Sequence, residues 1–172
     1  MYLEFLLIIS DYFKTLNKKV IFYEWIFPFI VTFLCTFIGC ILDFEVFVSF
    51  KDSAINVIGV LLGFSIAVIT IITTGSGPNI EQIKNHETSI IISEKRISLY
   101  RLFLINFTYS VILEVILIIS CLLMPLLNKI FLFSFSIKLI MYSIMVFIVF
   151  HILLLTLRNI TDFYLIISKE NN

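Results

Sequence analysis

From Ala54 to Thr74 the chain carries no aspartate, glutamate, lysine or arginine, and that stretch most narrows the folds open to it. About 20 apolar residues in a helix cross a hydrocarbon core of roughly 30 Å. Three further stretches read the same way: residues 21–42, interrupted near the start by Glu24 and Pro28; residues 102–124, with Glu114 near the middle; and residues 139–157, with His151 towards the end. Pro125 and Asn128-Lys129 predict the turn between the last two, and residues 130–137 either prolong the fourth helix or lie along the membrane surface. With 60% hydrophobic and 14% charged residues among 172, a water-soluble fold would lack the polar surface to cover its apolar side chains. Soluble domains sit nearer 45–50% and about 25%. Lipid removes that requirement, provided every backbone polar group is paired internally, as in a helix. The expected fold is therefore all-α: an integral membrane four-helix bundle, with an N-terminal interfacial helix and a short cytoplasmic helical segment between the second and third spans.

Orientation follows from the basic residues. Lys14, Lys18 and Lys19 precede the first span, Lys84, Lys95, Arg96 and Arg101 lie between the second and third, and Arg158 and Lys169 follow the fourth. With four crossings these nine share one side, against Lys51, Lys129 and Lys138 on the other. Positive charge concentrates in cytoplasmic loops, so both termini and residues 75–100 are expected in the cytoplasm of a bacterial inner membrane. Residues 1–19 alternate Leu3, Phe5, Leu6, Leu7, Ile9, Phe13 and Leu16 with Glu4, Asp11 and Lys14. They lack the basic start and small-residue cleavage site of a signal peptide and suit a helix lying on the inner leaflet. Tyr23 and Trp25 then stand where aromatic side chains anchor the start of a span.

The sizeable polar segment is 75–100. It opens with Gly75-Ser76-Gly77-Pro78, which can end one helix and begin the next. Gly75-Ser76-Gly77 lacks the Gly-Lys-Ser/Thr of a phosphate-binding loop. Ile80, Ile83 and Ile90–Ile92 give the segment apolar faces, so a short helical or hairpin-like unit is expected, one too small to fold alone. Its charges are mixed: Lys84, Lys95 and Arg96 beside Glu87 and Glu94. Mixed charge suits protein docking, or simply solvation, better than a nucleic-acid groove. Residues 158–172 are expected to form a cytoplasmic tail.

Inside the spans, Gly59, Gly63 and Ala67 recur at four-residue spacing and continue to Thr70 and Thr74. Small residues so placed let membrane helices approach closely; packing within the chain and self-association both fit, and either would make this helix central. Glu114 should face the bundle interior, a subunit interface or water, because a carboxylate in lipid costs at least about 2.5 kcal/mol. It reads as an ion-path residue or as a glutamic acid hydrogen-bonded to a neighbouring helix, with Ser143 or Tyr142 as candidate partners. His151 reads as a packing histidine too far in depth from Glu114 to pair with it. Glu24, near the cytoplasmic interface, is given no special role. Cys35, Cys40 and Cys121 lie in apolar stretches and behave as small hydrophobes. No metal-ligand spacing, catalytic triad or cofactor motif is present, so the chain is expected to be non-enzymatic, without metal or cofactor.

The run Leu61-Leu62-Gly63-Phe64-Ser65-Ile66-Ala67-Val68-Ile69-Thr70-Ile71-Ile72-Thr73-Thr74-Gly75-Ser76, then a charged segment and a span opening Arg101-Leu102-Phe103, resembles small bacterial membrane proteins of anti-phage defence loci. The four-span layout most resembles the membrane subunit of the Kiwa system. That resemblance implies a homo-oligomer, with a tetramer favoured, a cytosolic DNA-binding protein as partner, and the bilayer itself as the medium. It implies no direct contact with nucleic acid. The expected function is an oligomeric inner-membrane sensor or scaffold that recruits that partner in phage defence. The alternative is a pore-forming effector or small ion channel, with Glu114 and the small stripe lining or gating the path. A secondary transporter fits poorly, since four spans without internal symmetry leave little room for a midplane site.

Overall fold

A computed structural model describes residues 4–41, 45–131 and 134–168. Four helices are long and apolar enough to cross a membrane: Lys18–Gly39, Ser49–Thr74, Leu99–Phe131 and Phe135–Tyr164. The chain opens with α1, Glu4–Thr15, and continues through α2, Lys18–Ile21, a five-residue π-helical turn, Phe22–Ile26, and α3, Phe27–Ile41; the last three form the first span. Then come α4, Glu45–Thr74, and α5, Pro78–Asn85; β1, Glu87–Ile92, pairs with β2, Lys95–Ser98; α6, Leu99–Phe131, and α7, Phe135–Ser168, complete the bundle. Leu42 of the expected first span, residues 1–3 of the expected interfacial segment and residues 169–172 of the expected tail lie outside the described residues.

Several boundaries differ from expectation, beginning with α4, which starts at Glu45 rather than Ala54, and α6, which starts at Leu99 rather than Leu102. Helix α6 runs through Pro125 to Phe131, so the turn falls after that residue rather than at Pro125–Lys129. Proline is tolerated within membrane helices because neighbouring groups re-satisfy the freed carbonyl, and Leu126, Leu127, Ile130 and Phe131 keep the segment apolar. Residues 135–137 begin α7, which also runs on to Ser168 through most of the expected tail. Between the second and third spans the segment is only half helical. Gly75 ends α4: its N–H bonds the Ile71 carbonyl at 2.9 Å, and a Cβ there would sit 2.6 Å from that same oxygen. Pro78 then opens α5 at the first helical turn. The β-branched run Thr88–Ile92, bar Ser89, favours a strand, and Ser93-Glu94 closes an antiparallel hairpin with both residues at positive φ, 52° and 64°. Two-residue hairpin turns need that conformation.

The spans pack in a row, α3 on α7, α7 on α6 and α6 on α4, with α4 also touching α7. Ala54, Ile58, Leu117, Cys121, Met145, Val149 and Ile152 form the core of the half remote from the termini. At the other end α1 and the hairpin cap the bundle, where Tyr12, Ile92 and Ile97 pack with Ile105, Tyr109 and Leu155. Ile83 of α5 joins Val68, Ile72, Phe103 and Phe107 beside it. The cap is thus fastened by large apolar side chains, each worth about 1.5–3 kcal/mol when fully buried. The opposite face of α1 leaves Phe5, Leu6, Leu7 and Phe13 exposed.

Candidate functional site

The first span is built around a missing donor. Proline at position 28 has no N–H, so the carbonyl of Glu24, four residues earlier, loses its helical partner, and the helix widens into the π-helical turn just there. Such widened turns concentrate at functional positions. The vacant carbonyl is taken by His151 of α7, whose Nδ1 lies 2.6 Å away across 127 residues of sequence. A carbonyl only accepts, so Nδ1 carries the proton. A neutral ring then leaves Nε2 to accept, and the Tyr109 hydroxyl stands 3.3 Å from it. Phe147 stacks on the imidazole with ring planes 3° apart, and Trp25 flanks it at 4.8 Å.

The same Glu24 is only 2% exposed. Tyr12 of α1 donates its phenol to Oε2 at 2.6 Å, and Arg158 Nη1 of α7 lies 3.0 Å from Oε1. Tyr12 in turn stacks on Tyr109, centroids 3.6 Å apart. Burial, then the negative charge of Glu24, hold the Tyr12 phenol well above its usual pKa, so it remains a donor. Backbone and side chain of one residue therefore tie α1, the first span and α7 together. Sequence reasoning gave Glu24 no role and singled out neither Tyr12, Tyr109 nor Arg158. The available signal was Pro28 four residues after the glutamate.

Glu114 is fully buried inside the chain's own bundle. Its Oε1 accepts from Ser110, one turn earlier on α6, at 2.9 Å, and from Ser65 of α4 at 3.1 Å. The expected partners lie elsewhere: Ser143 bonds Thr36 and the Leu139 carbonyl, and Tyr142 packs in the core remote from the termini. Glu114 and His151 are not brought together. Asn106 and Ser110 precede Glu114 on one face of α6. Asn106 Oδ1, Thr156 Oγ1, both polar atoms of Asn159 and Glu114 Oε2 are buried without a protein partner. No family model, curated protein or solved structure matches the chain.

The small stripe of α4 faces outward. Gly59, Gly63, Ala67, Thr70 and Thr74 are all exposed, and a Cβ added to Gly59 or Gly63 would meet nothing within 4 Å. Packing within the chain, one of the two readings of that stripe, does not occur. Nor is α4 central, since it ends the row of spans. Thr70 and Thr74 satisfy their hydroxyls on the carbonyls of Ile66 and Thr70. In the cap, Lys84, Glu87, Glu94, Lys95 and Arg96 are exposed. Lys84 lies over the Tyr100 ring at 5.4 Å, and Ile91 stands 61% exposed on the hairpin. Among the described residues no group of three His, Cys, Asp or Glu side chains is placed to hold a metal ion.

Proposed function

We propose that this multi-pass membrane protein is a non-enzymatic, oligomeric scaffold or sensor of the bacterial inner membrane. Its cytoplasmic cap would hold a soluble protein partner, as the resemblance to the membrane subunit of the Kiwa defence system implies. The observation that carries the reading is how the cap is attached. Ile83, Ile92 and Ile97 are at most 4% exposed, and Tyr12 reaches the buried Glu24 of the spans, itself paired with the half-buried Arg158. A change in the membrane helices has a direct route to the docking face, and the reverse holds. That face combines Ile91 with Lys84, Glu87, Glu94, Lys95 and Arg96, an apolar contact ringed by both signs of charge. Its turn keeps Ser93 and Glu94 at positive φ, at about 1 kcal/mol or more each, and such strain gathers at functional sites. Self-association fits the outward stripe of α4, where close backbone approach leaves dispersion and weak hydrogen bonds to hold two helices.

The two parts separate in one set of experiments. Affinity purification of the full-length protein from its own cells should bring down a cytosolic DNA-binding protein, an association that Lys95→Glu/Arg96→Glu abolishes while insertion is preserved; an unchanged association would remove the docking role. Gly63→Leu adds a side chain where the monomer has open space, so it should break the oligomer in native mass spectrometry without unfolding the chain. An intact oligomer would move the interface elsewhere. A pore lined by Glu114 is less well supported, since that carboxyl faces the interior of its own bundle. Depolarisation on expression that Glu114→Gln alters would restore it.

A further inference from the structure

Between the start of the first span and the last turns of α7 lies a groove of about 540 Å³, at the end of the bundle that carries the cap. Its inner wall is the Glu24–Arg158 pair, two charges that largely cancel. Leu154 and Leu157 line one side, and the exposed Tyr23 stands on the other. At the mouth are one cation, the exposed Lys19, and one anion, the half-buried Asp162. Beside Asp162, Thr161 donates its hydroxyl to the Leu157 carbonyl at 2.8 Å, which leaves its lone pairs to accept.

This arrangement discriminates among lipid heads by charge and by hydrogen-bonding capacity. A purely anionic head would gain Lys19 and meet Asp162 at the same time. A head carrying both a phosphate and a cation has a charge for each. The cation must also be a donor, because Asp162 and Thr161 offer only acceptors and a quaternary ammonium has no N–H to give. Apolar walls below the mouth suit a glycerol backbone and the first acyl carbons. We propose that the groove seats one aminophospholipid, its phosphate at Lys19 and Tyr23 and its primary ammonium at Asp162 and Thr161. The site would fasten the mouth of the groove over the Glu24–Arg158 pair, and it stands whichever side of the membrane the termini occupy.

The test is native mass spectrometry of the full-length protein, delipidated and titrated with phosphatidylethanolamine, phosphatidylcholine and phosphatidylglycerol. One phosphatidylethanolamine per chain should be retained about tenfold over the other two, as one charge-assisted hydrogen bond implies. Asp162→Leu, which removes the acceptor as well as the charge, should bring ethanolamine and choline heads to near parity. Lys19→Ala, an exposed change that leaves the fold alone, should weaken both while preserving their ratio. Equal retention of all three lipids, preference for phosphatidylglycerol, or an ethanolamine preference that survives Asp162→Leu in full would each overturn the proposal.

Discussion

Among the described residues two glutamates are sealed inside this protein, and they are kept there in different ways. Glu24, 2% exposed, meets a guanidinium at 3.0 Å and a phenol at 2.6 Å, supplied by two other elements of the chain. Glu114, 0% exposed, meets two serine hydroxyls, one from its own helix and one from α4. A charge taken out of water costs several kcal/mol unless a counter-charge accompanies it. The first site is therefore half of an ion pair, and its integrity depends on α1 and α7 being docked. The second is a hydrogen-bonding group within a pair of helices already in contact. One residue type serves as a tie between elements in one place and as interior polar packing in the other. Only the first can register movement of the cap.

The largest test removes the counter-charge. Arg158→Leu leaves Glu24 buried and unpaired and should cost about 3–5 kcal/mol in thermal or denaturant unfolding of the detergent-solubilised protein. Glu24→Gln in the same chain should recover most of that loss, because the cost lies in the orphaned charge rather than in lost packing. Equal losses in single and double variants would mean that the pair does not hold the elements together.

The second test concerns the backbone of the same residue. His151→Phe removes the donor to the Glu24 carbonyl, which Pro28 cannot replace, and should cost about 1–3 kcal/mol. In a Pro28→Ala background position 28 regains an N–H, so the same substitution should cost well under half as much. A double-mutant cycle in unfolding free energy measures the difference. If the two costs agree, the histidine is a packing residue and the missing proline donor is irrelevant to it.

That second test touches the part of the site least legible in the sequence. The four spans were readable because the apolar stretches are long and residues 54–74 of α4 carry no charge, and lipid leaves little choice but a helix. Glu24 was misjudged because its depth was reckoned from the start of its helix, where water would reach it. Its actual surroundings are made by Tyr12 and by Arg158, residues that no local pattern associates with it. The stripe of α4 was visible in its spacing, yet spacing alone does not say which way a stripe faces. The hairpin was half legible: the β-branched run was there, while Ser93 and Glu94 are poor signals for a turn that usually holds asparagine or glycine.

The smallest effect is expected at Glu114, and it decides whether the contrast between the two carboxyls is sound. Glu114→Gln keeps an oxygen at the Oε1 position to accept from both Ser65 and Ser110, and replaces only Oε2, which has no protein partner. The change should alter unfolding free energy by about 1 kcal/mol or less, the scale of one neutral hydrogen bond. Glu114→Leu strips the acceptor from both serines and should cost more, because two buried hydroxyls then lose their partner. If Glu114→Gln instead destabilised the protein as much as Arg158→Leu, the bundle would depend on a negative charge at its centre. The two glutamates would then belong to one class, and the search for an unrecognised cation beside Glu114 would begin.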